Sequence, residues 1–192
     1  MIEAEEIRNL FGDLLDEITD PGLRDGVVEA WTLACAEGGW KNLDEVKAMP
    51  FTLLTDTGGI GFIAHTLAVT LGAIGLAEAQ LVSCETLPYA IDRDRLIAGG
   101  LLHDVGKLLE IEPDGSGGYR KSHSGRCTRH PISGTVIAAR VGLGPEVLNC
   151  IACHAREGEG RPKTVETILI HQADFATFDP LTARAAGILI EE

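Results

Sequence analysis

Leu101-Leu102-His103-Asp104-Val105-Gly106-Lys107 sets three ionisable side chains in an otherwise apolar run. Burying them is costly unless their charge is compensated, and a divalent cation supplies that compensation. Leu96, Leu101, Leu102, Val105, Leu108 and Leu109 recur at helical spacing around the pair, which predicts a helix from Asp92 to about Leu109. Neighbouring residues on a helix point about 100° apart. One member of the pair can therefore bind a metal terminally while the other, a carboxylate with two oxygens, leans towards a second.

Outward from this run, the turn cluster Pro113-Asp114-Gly115-Ser116-Gly117-Gly118 stops the helix and leaves room for at most one short β-hairpin near residues 108–122. Gly38 to Asp56, broken by glycines, Pro50 and polar residues, reads as a connection, and the other segments read as helix. His130-Pro131 opens one, Gly144-Pro145 stops it and starts the next, Thr164 to Phe178 is a further one, and Asp179-Pro180 caps a last. At the amino end, Ile7, Leu10, Phe11, Leu14, Leu15 and Ile18 form one amphipathic stripe, and Asp20-Pro21 starts a second helix. No repeat or low-complexity tract interrupts the pattern. The expectation is an all-α bundle, a single domain over 1–192, with residues 1–50 a helical extension and 57–180 a metal-binding core.

Thr57 to Ala77 holds no Asp, Glu, Lys or Arg over a length sufficient to cross a bilayer. His65, Thr66, Thr70 and the glycines within it, and the lack of flanking Lys/Arg clusters, favour a buried central helix, predicted over about Ile60 to Gln80.

The chain has six histidines: His65, His103, His123, His130, His154 and His171. His65 lies in the most apolar helix, His130 at a helix mouth, His154 after the largely apolar 147–153 stretch, and Asp174 again in apolar surroundings. Facing helices that each bring one such donor inward are how a bundle builds a metal site. Taken in order, His65, His103-Asp104 and Asp174, with the run His-Asp-Val-Gly-Lys, resemble the HD-domain superfamily of metal-dependent phosphohydrolases over about residues 60–180.

In the two-metal branch of that family, Asp104 would bridge the ions. His65, His103 and Asp174 would complete one side, and His130 and His154 would hold the other. The resemblance thus implies two divalent metal ions, and imidazole plus carboxylate suits Fe or Mn, with Zn or Ni also compatible. It implies hydrolysis of a small phosphate mono- or diester, nucleotides included, by a metal-bridging hydroxide. Asp104 and Lys107 are the catalytic candidates, Lys107 contacting the substrate phosphate, although a helix-end lysine favoured by the dipole reads the same way. Arg126 and Arg129, in the acid-free basic stretch that also holds Arg120 and Lys121, are further candidates for the anion; a solvated basic loop is the alternative. Two other functions share this scaffold. One is a mixed-valent di-iron oxygenase with the same six ligands. The other is a non-catalytic ligand sensor, against which the complete ligand set argues.

His171, three residues before Asp174, either orients it or faces another helix, and His123, between two serines, is expected to be exposed. Cys150-Ile151-Ala152-Cys153-His154 fits the c-type haem attachment signature, but that chemistry requires export and no secretion signal is seen at the amino end. Five cysteines, an odd number, read as reduced thiols in a cytoplasmic protein.

Charge completes the reading. There are 16 Lys plus Arg against 29 Asp plus Glu, a net −13, and residues 1–50 alone carry −8 while 101–150 carry +1. Because nucleic-acid polymers are held by basic surfaces, the expected partner is a small phosphorylated substrate, with no nucleic-acid polymer and no membrane.

Overall fold

In a computed structural model of the protein, which describes residues 2–190, helices begin where the sequence supplies caps. The chain runs α1 (Ala4–Asp16), α2 (Pro21–Gly38), α3 (Leu43–Ala48), α4 (Phe62–Ser83), α5 (Arg93–Leu102), α6 (Lys107–Glu110), β1 (Ile111–Pro113), β2 (Tyr119–Lys121), α7 (His123–Cys127), α8 (His130–Arg140), α9 (Pro145–Cys153), a 3₁₀ turn (Arg156–Gly158) and α10 (Val165–Ala185). Asp20, Asn42, Asp92, Ser122 and Thr164 each cap a helix by accepting from a backbone N–H of its first turn. The two strands pair antiparallel, Ile111 with Lys121 through Pro113 with Tyr119. Asp114 Oδ1 accepts from the N–H groups of Ser116 and Gly118, and Gly115 and Gly117 take the positive φ the tight loop needs. The all-α class with one short hairpin is what the sequence predicts.

Besides the short helices α3 and α7, which form within segments read as a connection and a loop, two helices differ from expectation. The helix predicted from Asp92 to Leu109 breaks at residues 103–106, where Val105 N–H bonds to Leu102 and Lys107 N–H to Asp104 in three-residue turns. The break is set by close packing. A Cβ on Gly106 would lie 2.1 Å from the His130 carbonyl oxygen and 2.6 Å from the Gly134 nitrogen, so only glycine lets α8 approach. Carbonyls on either side of the break are taken up by the amino-terminal region. The Trp31 indole donates to Leu101 O at 2.9 Å and the Trp40 indole to Leu108 O at 2.8 Å. In the second difference, α10 continues through Pro180 to Ala185. Ala176 and Pro180 are both exposed, so the carbonyl that proline leaves without a donor faces water.

Trp31 is fully buried between Phe11 and Phe62, at ring-centroid distances of 4.9 and 5.4 Å. The helices of residues 1–50 therefore share one core with α4 and α5. Among the described residues, α4 is the helix whose length and hydropathy meet the bilayer criterion; its buried residues include His65, Thr66 and Thr70, and it packs along α5 and α10.

Candidate metal centre

Asp104 lies at the centre of the bundle, 1% exposed, and its two carboxylate oxygens face different partners. Oδ2 is 3.2 Å from His65 Nε2 and 3.3 Å from His103 Nε2. Oδ1 is 3.1 Å from His130 Nε2 and 3.5 Å from His154 Nε2. Asp174 Oδ1 joins the first group at 3.3 Å from His65 Nε2. The structure thus brings together all six side chains that the sequence singles out as ligands, in two groups that share one carboxylate.

The orientation of each imidazole is fixed from behind. His103 Nδ1–H donates to Gly100 O at 2.7 Å and His154 Nδ1–H to Ile151 O at 2.9 Å. His65 Nδ1–H donates to Thr177 Oγ1 at 3.1 Å, whose own hydroxyl donates to Asp174 O. His130 Nδ1–H donates to Glu110 Oε2 at 3.1 Å. With every Nδ1 donating away from the centre, all four Nε2 atoms point inward at carboxylate oxygens, where each can meet a proton or a metal ion. Lone pairs facing lone pairs at these distances repel unless an electrophile sits between them. Asp104 Oδ1 and His154 Nε2, both buried, have no hydrogen-bond partner among the described residues. This donor set fits divalent metal ions.

Lys107 Nζ lies 2.5 Å from Asp104 Oδ2 and 5.5 Å from the centre of the Phe51 ring, with only 12% of its side chain exposed. The solvated helix-end alternative for this lysine is thereby excluded. Burial acts to raise the Asp104 pKa, but the Lys107 ammonium and the imidazoles of His103 and His130 hold it well below the usual carboxylate range. Asp174 is likewise opposed by burial, and its pairing with His65 brings it down to about 2.

Two contributors carry little mark in the sequence. Glu110 accepts at one oxygen from both the backbone N–H of His130, at 2.7 Å, and its ring, which brings its carboxyl down to about 2 against the opposing effect of burial. Its only signal is a lone acid after Leu108-Leu109. Thr177 carries no sequence signal beyond its place one turn after Asp174. Truncating Glu110→Ala is expected to weaken the ion on the His130–His154 side by 10- to 100-fold, as removal of such supporting partners does. The His65–His103 side should be unaffected, and Glu110→Gln should restore most of the loss. A metal titration followed by calorimetry checks this: the gap between the two affinities should change by that factor in Glu110→Ala, through the His130–His154 site alone.

Burial pushes His130 down to about 4, beyond what the Asp104 charge restores, whereas an unfolded histidine titrates near 6.5. In the metal-free protein the unfolded chain therefore binds more protons between those values. Stability is complete above about pH 6.5 and falls towards pH 4, by on the order of 3 kcal/mol from this residue. Glu110, also depressed, adds a loss of the same sign as pH falls from about 4.5 towards 2. Melting in chelator across pH 7 to 4 should show a steady decline in Tm, and a flat profile would contradict the assignment.

The remaining candidates divide. Arg129 lines the cavity beside the centre, paired with Glu157 at 3.2 Å. Arg126 does not line it; it is exposed and its guanidinium donates to the Lys121 carbonyl. His171 donates to the His154 carbonyl at 2.5 Å, fastening α10 to the end of α9, and does not orient Asp174. His123 is exposed, beside Cys127. Cys150 is fully buried against Thr167, out of reach of a haem vinyl group.

Comparison with known proteins gives a consistent picture. The family model for the HD domain matches residues 62–176. Among curated proteins, the chain is 35% identical over 96 residues to a protein named Ribonuclease Y from Pseudothermotoga lettingae, covering 50% of this chain and 16% of that one. It is 34% identical over 116 residues to the Ribonuclease Y of Desulforudis audaxviator, covering 60% of this chain and 18% of the relative. The Ribonuclease Y of Mycoplasma capricolum is 27% identical over 112 residues, 58% of this chain and 18% of the relative. The matched stretch is therefore less than a fifth of each relative's length. No solved structure matches the chain.

These relatives, named as ribonucleases, overturn the expectation of a small phosphorylated substrate and no nucleic-acid polymer. That expectation rests on the net charge of the whole chain, which does not describe the surface at the site. The cavity there is lined by Lys107, Lys121, Arg129 and Arg156 beside three acids, Glu110, Glu157 and Asp174, of which Asp174 is a candidate metal ligand.

Proposed function

The chain belongs to the HD-domain family, and from that premise we propose that it is a metal-dependent phosphodiesterase that hydrolyses RNA, using two divalent ions joined by Asp104. The observation that carries this reading is the division of the Asp104 oxygens between two imidazole pairs. His65, His103 and Asp174 would hold one ion, and His130 and His154 the other. The same donors favour Fe or Mn, with Zn and Ni also compatible. Ions bound there would supply Lewis acidity, polarising the phosphoryl group and making water acidic enough to react near neutral pH.

The protein's own groups do the rest. Lys107, held against Asp104 and under Phe51, offsets negative charge that accumulates at phosphorus in the transition state. Glu110 and Thr177 keep two imidazoles in the tautomer that presents Nε2 to the centre. Lys121, Arg129 and Arg156 draw the phosphate backbone to the mouth of the cavity. Support for RNA as the substrate comes from the ribonuclease relatives together with this cationic rim. Incubating protein loaded with Mn²⁺ with an end-labelled single-stranded RNA tests the proposal. Cleavage that chelator abolishes and Mn²⁺ restores is expected; intact RNA in the presence of fully loaded protein would refute it.

A further inference from the structure

The cavity beside the metal centre encloses about 450 Å³ and has two chemically different walls. One is cationic, with Lys121, Arg129 and Arg156. Lys121 pairs with Glu110 at 3.6 Å and Arg129 with Glu157, whereas Arg156 has no acidic partner among the described residues. The other part of the lining is apolar, made by Leu53 and Leu54 from the 50–61 loop and by Phe175 and Phe178 from α10.

This apolar wall is not surplus core. Leu54 is 69% and Leu53 38% exposed, although each has a fixed place in the fold. Their loop is closed at its base by a bridge between Pro50 and Gly61 and by the Phe62 N–H donating to Met49 O at 2.7 Å. Within it, Leu54 N–H donates to Thr52 Oγ1, and Phe51 stacks flat on the His65 ring, 4.1 Å between centroids. Phe51 thereby ties the loop to a residue of the metal centre, and the two leucines that follow it stand at the cavity wall. All of them lie outside residues 62–176, the stretch matched by the family model.

A phosphate group alone fills a small part of such a volume, and cavities of a few hundred Å³ with mostly apolar walls and a few placed charges take ligands of nucleotide size. Aromatic and aliphatic side chains receive the faces of bases, and cations receive the phosphate. We infer that this cavity is a nucleoside-binding subsite, with the base seated against Leu53, Leu54, Phe175 and Phe178, and that the 51–54 segment is the specificity-determining element of this chain. The inference deepens the phosphodiesterase reading and rests on it for the phosphate's position. Leu53 and Leu54 supply no proposed metal ligand and are both exposed, so their replacement is expected to leave the centre intact.

Equilibrium binding to the metal-loaded protein tests this with two probes that differ only by the base, adenosine 5′-phosphate and ribose 5-phosphate. The wild type should bind the nucleotide at least tenfold more tightly. The double variant Leu53→Ser with Leu54→Ser should lose that preference while holding ribose 5-phosphate as the wild type does, and Leu54→Met should keep it. Both substitutions are at exposed positions, and an unchanged melting curve identifies a folded variant. Equal affinities of the wild type for the two probes, or a preference that survives the double substitution, would overturn the inference. A nucleotide preference that depends on these leucines in a protein that leaves RNA uncut would instead reject the phosphodiesterase reading and retain the subsite.

Discussion

Asp104→Asn is expected to lower RNA cleavage by about a thousandfold or more and to weaken both ions together. The isosteric amide keeps the shape of the side chain but offers one oxygen and one N–H₂ group where two anionic oxygens stood. One imidazole pair then faces a donor, and the other faces a neutral oxygen. Because the carboxylate is shared, loss at one oxygen is felt at both groups, unlike truncation of a single histidine. His154→Ala, by contrast, removes a donor from the Oδ1 side only and should spare the ion held by His65, His103 and Asp174. Metal binding followed by calorimetry, beside the cleavage assay, distinguishes the two. An Asp104→Asn protein that retains both ions at wild-type affinity would contradict a shared carboxylate.

Gly106→Ala is expected to be the most damaging of the conservative substitutions. The added methyl meets backbone atoms, the His130 carbonyl oxygen at 2.1 Å and the Gly134 nitrogen at 2.6 Å, and also Ser133 Oγ at 2.8 Å. Backbone cannot step aside as a flexible side chain does, so α8 must move away from the break between α5 and α6. Overpacking of this kind costs about 3 kcal/mol or more, which for a chain of this size is roughly 6 to 12 °C in Tm. Since α8 begins with His130, the same displacement pulls that imidazole from Asp104 and should weaken the ion on its side. A melting temperature within about 2 °C of the wild type, with both ions retained, would show that the turn is not held as tightly as the packing requires.

Much of the site is legible in the sequence because it is written in single residue types. An acid beside a histidine in an apolar run, and lone histidines in apolar helices, announce their own burial cost, and the family resemblance then selects His65, His103, Asp104, His130, His154 and Asp174 from among them. What escapes has its cause in distant parts of the chain. The break at residues 103–106 depends on α8 meeting Gly106, and the carbonyls flanking it depend on Trp31 and Trp40, some 70 positions upstream. Helical periodicity continues across the break and conceals it. Glu110 and Thr177 act through their contacts with histidines far away in sequence, so neither spacing nor composition marks them.

Net charge misleads for a related reason. It sums over a whole surface, and the acid excess is greatest in residues 1–50, whereas the cations that count are gathered at one cavity. Phe51, Leu53 and Leu54 read locally as part of a connecting segment. Their position against His65 and at the cavity wall follows from the bridge at Pro50 and Gly61, a pairing that no local pattern announces.

The central claim is that one carboxylate joins two metal ions. Elemental analysis of protein reconstituted with Mn²⁺ or Fe²⁺ and freed of excess by gel filtration tests it most directly. The wild type should hold two ions per chain and the His130→Ala, His154→Ala double variant one. One ion per chain in the wild type, or two retained in the double variant, would contradict it.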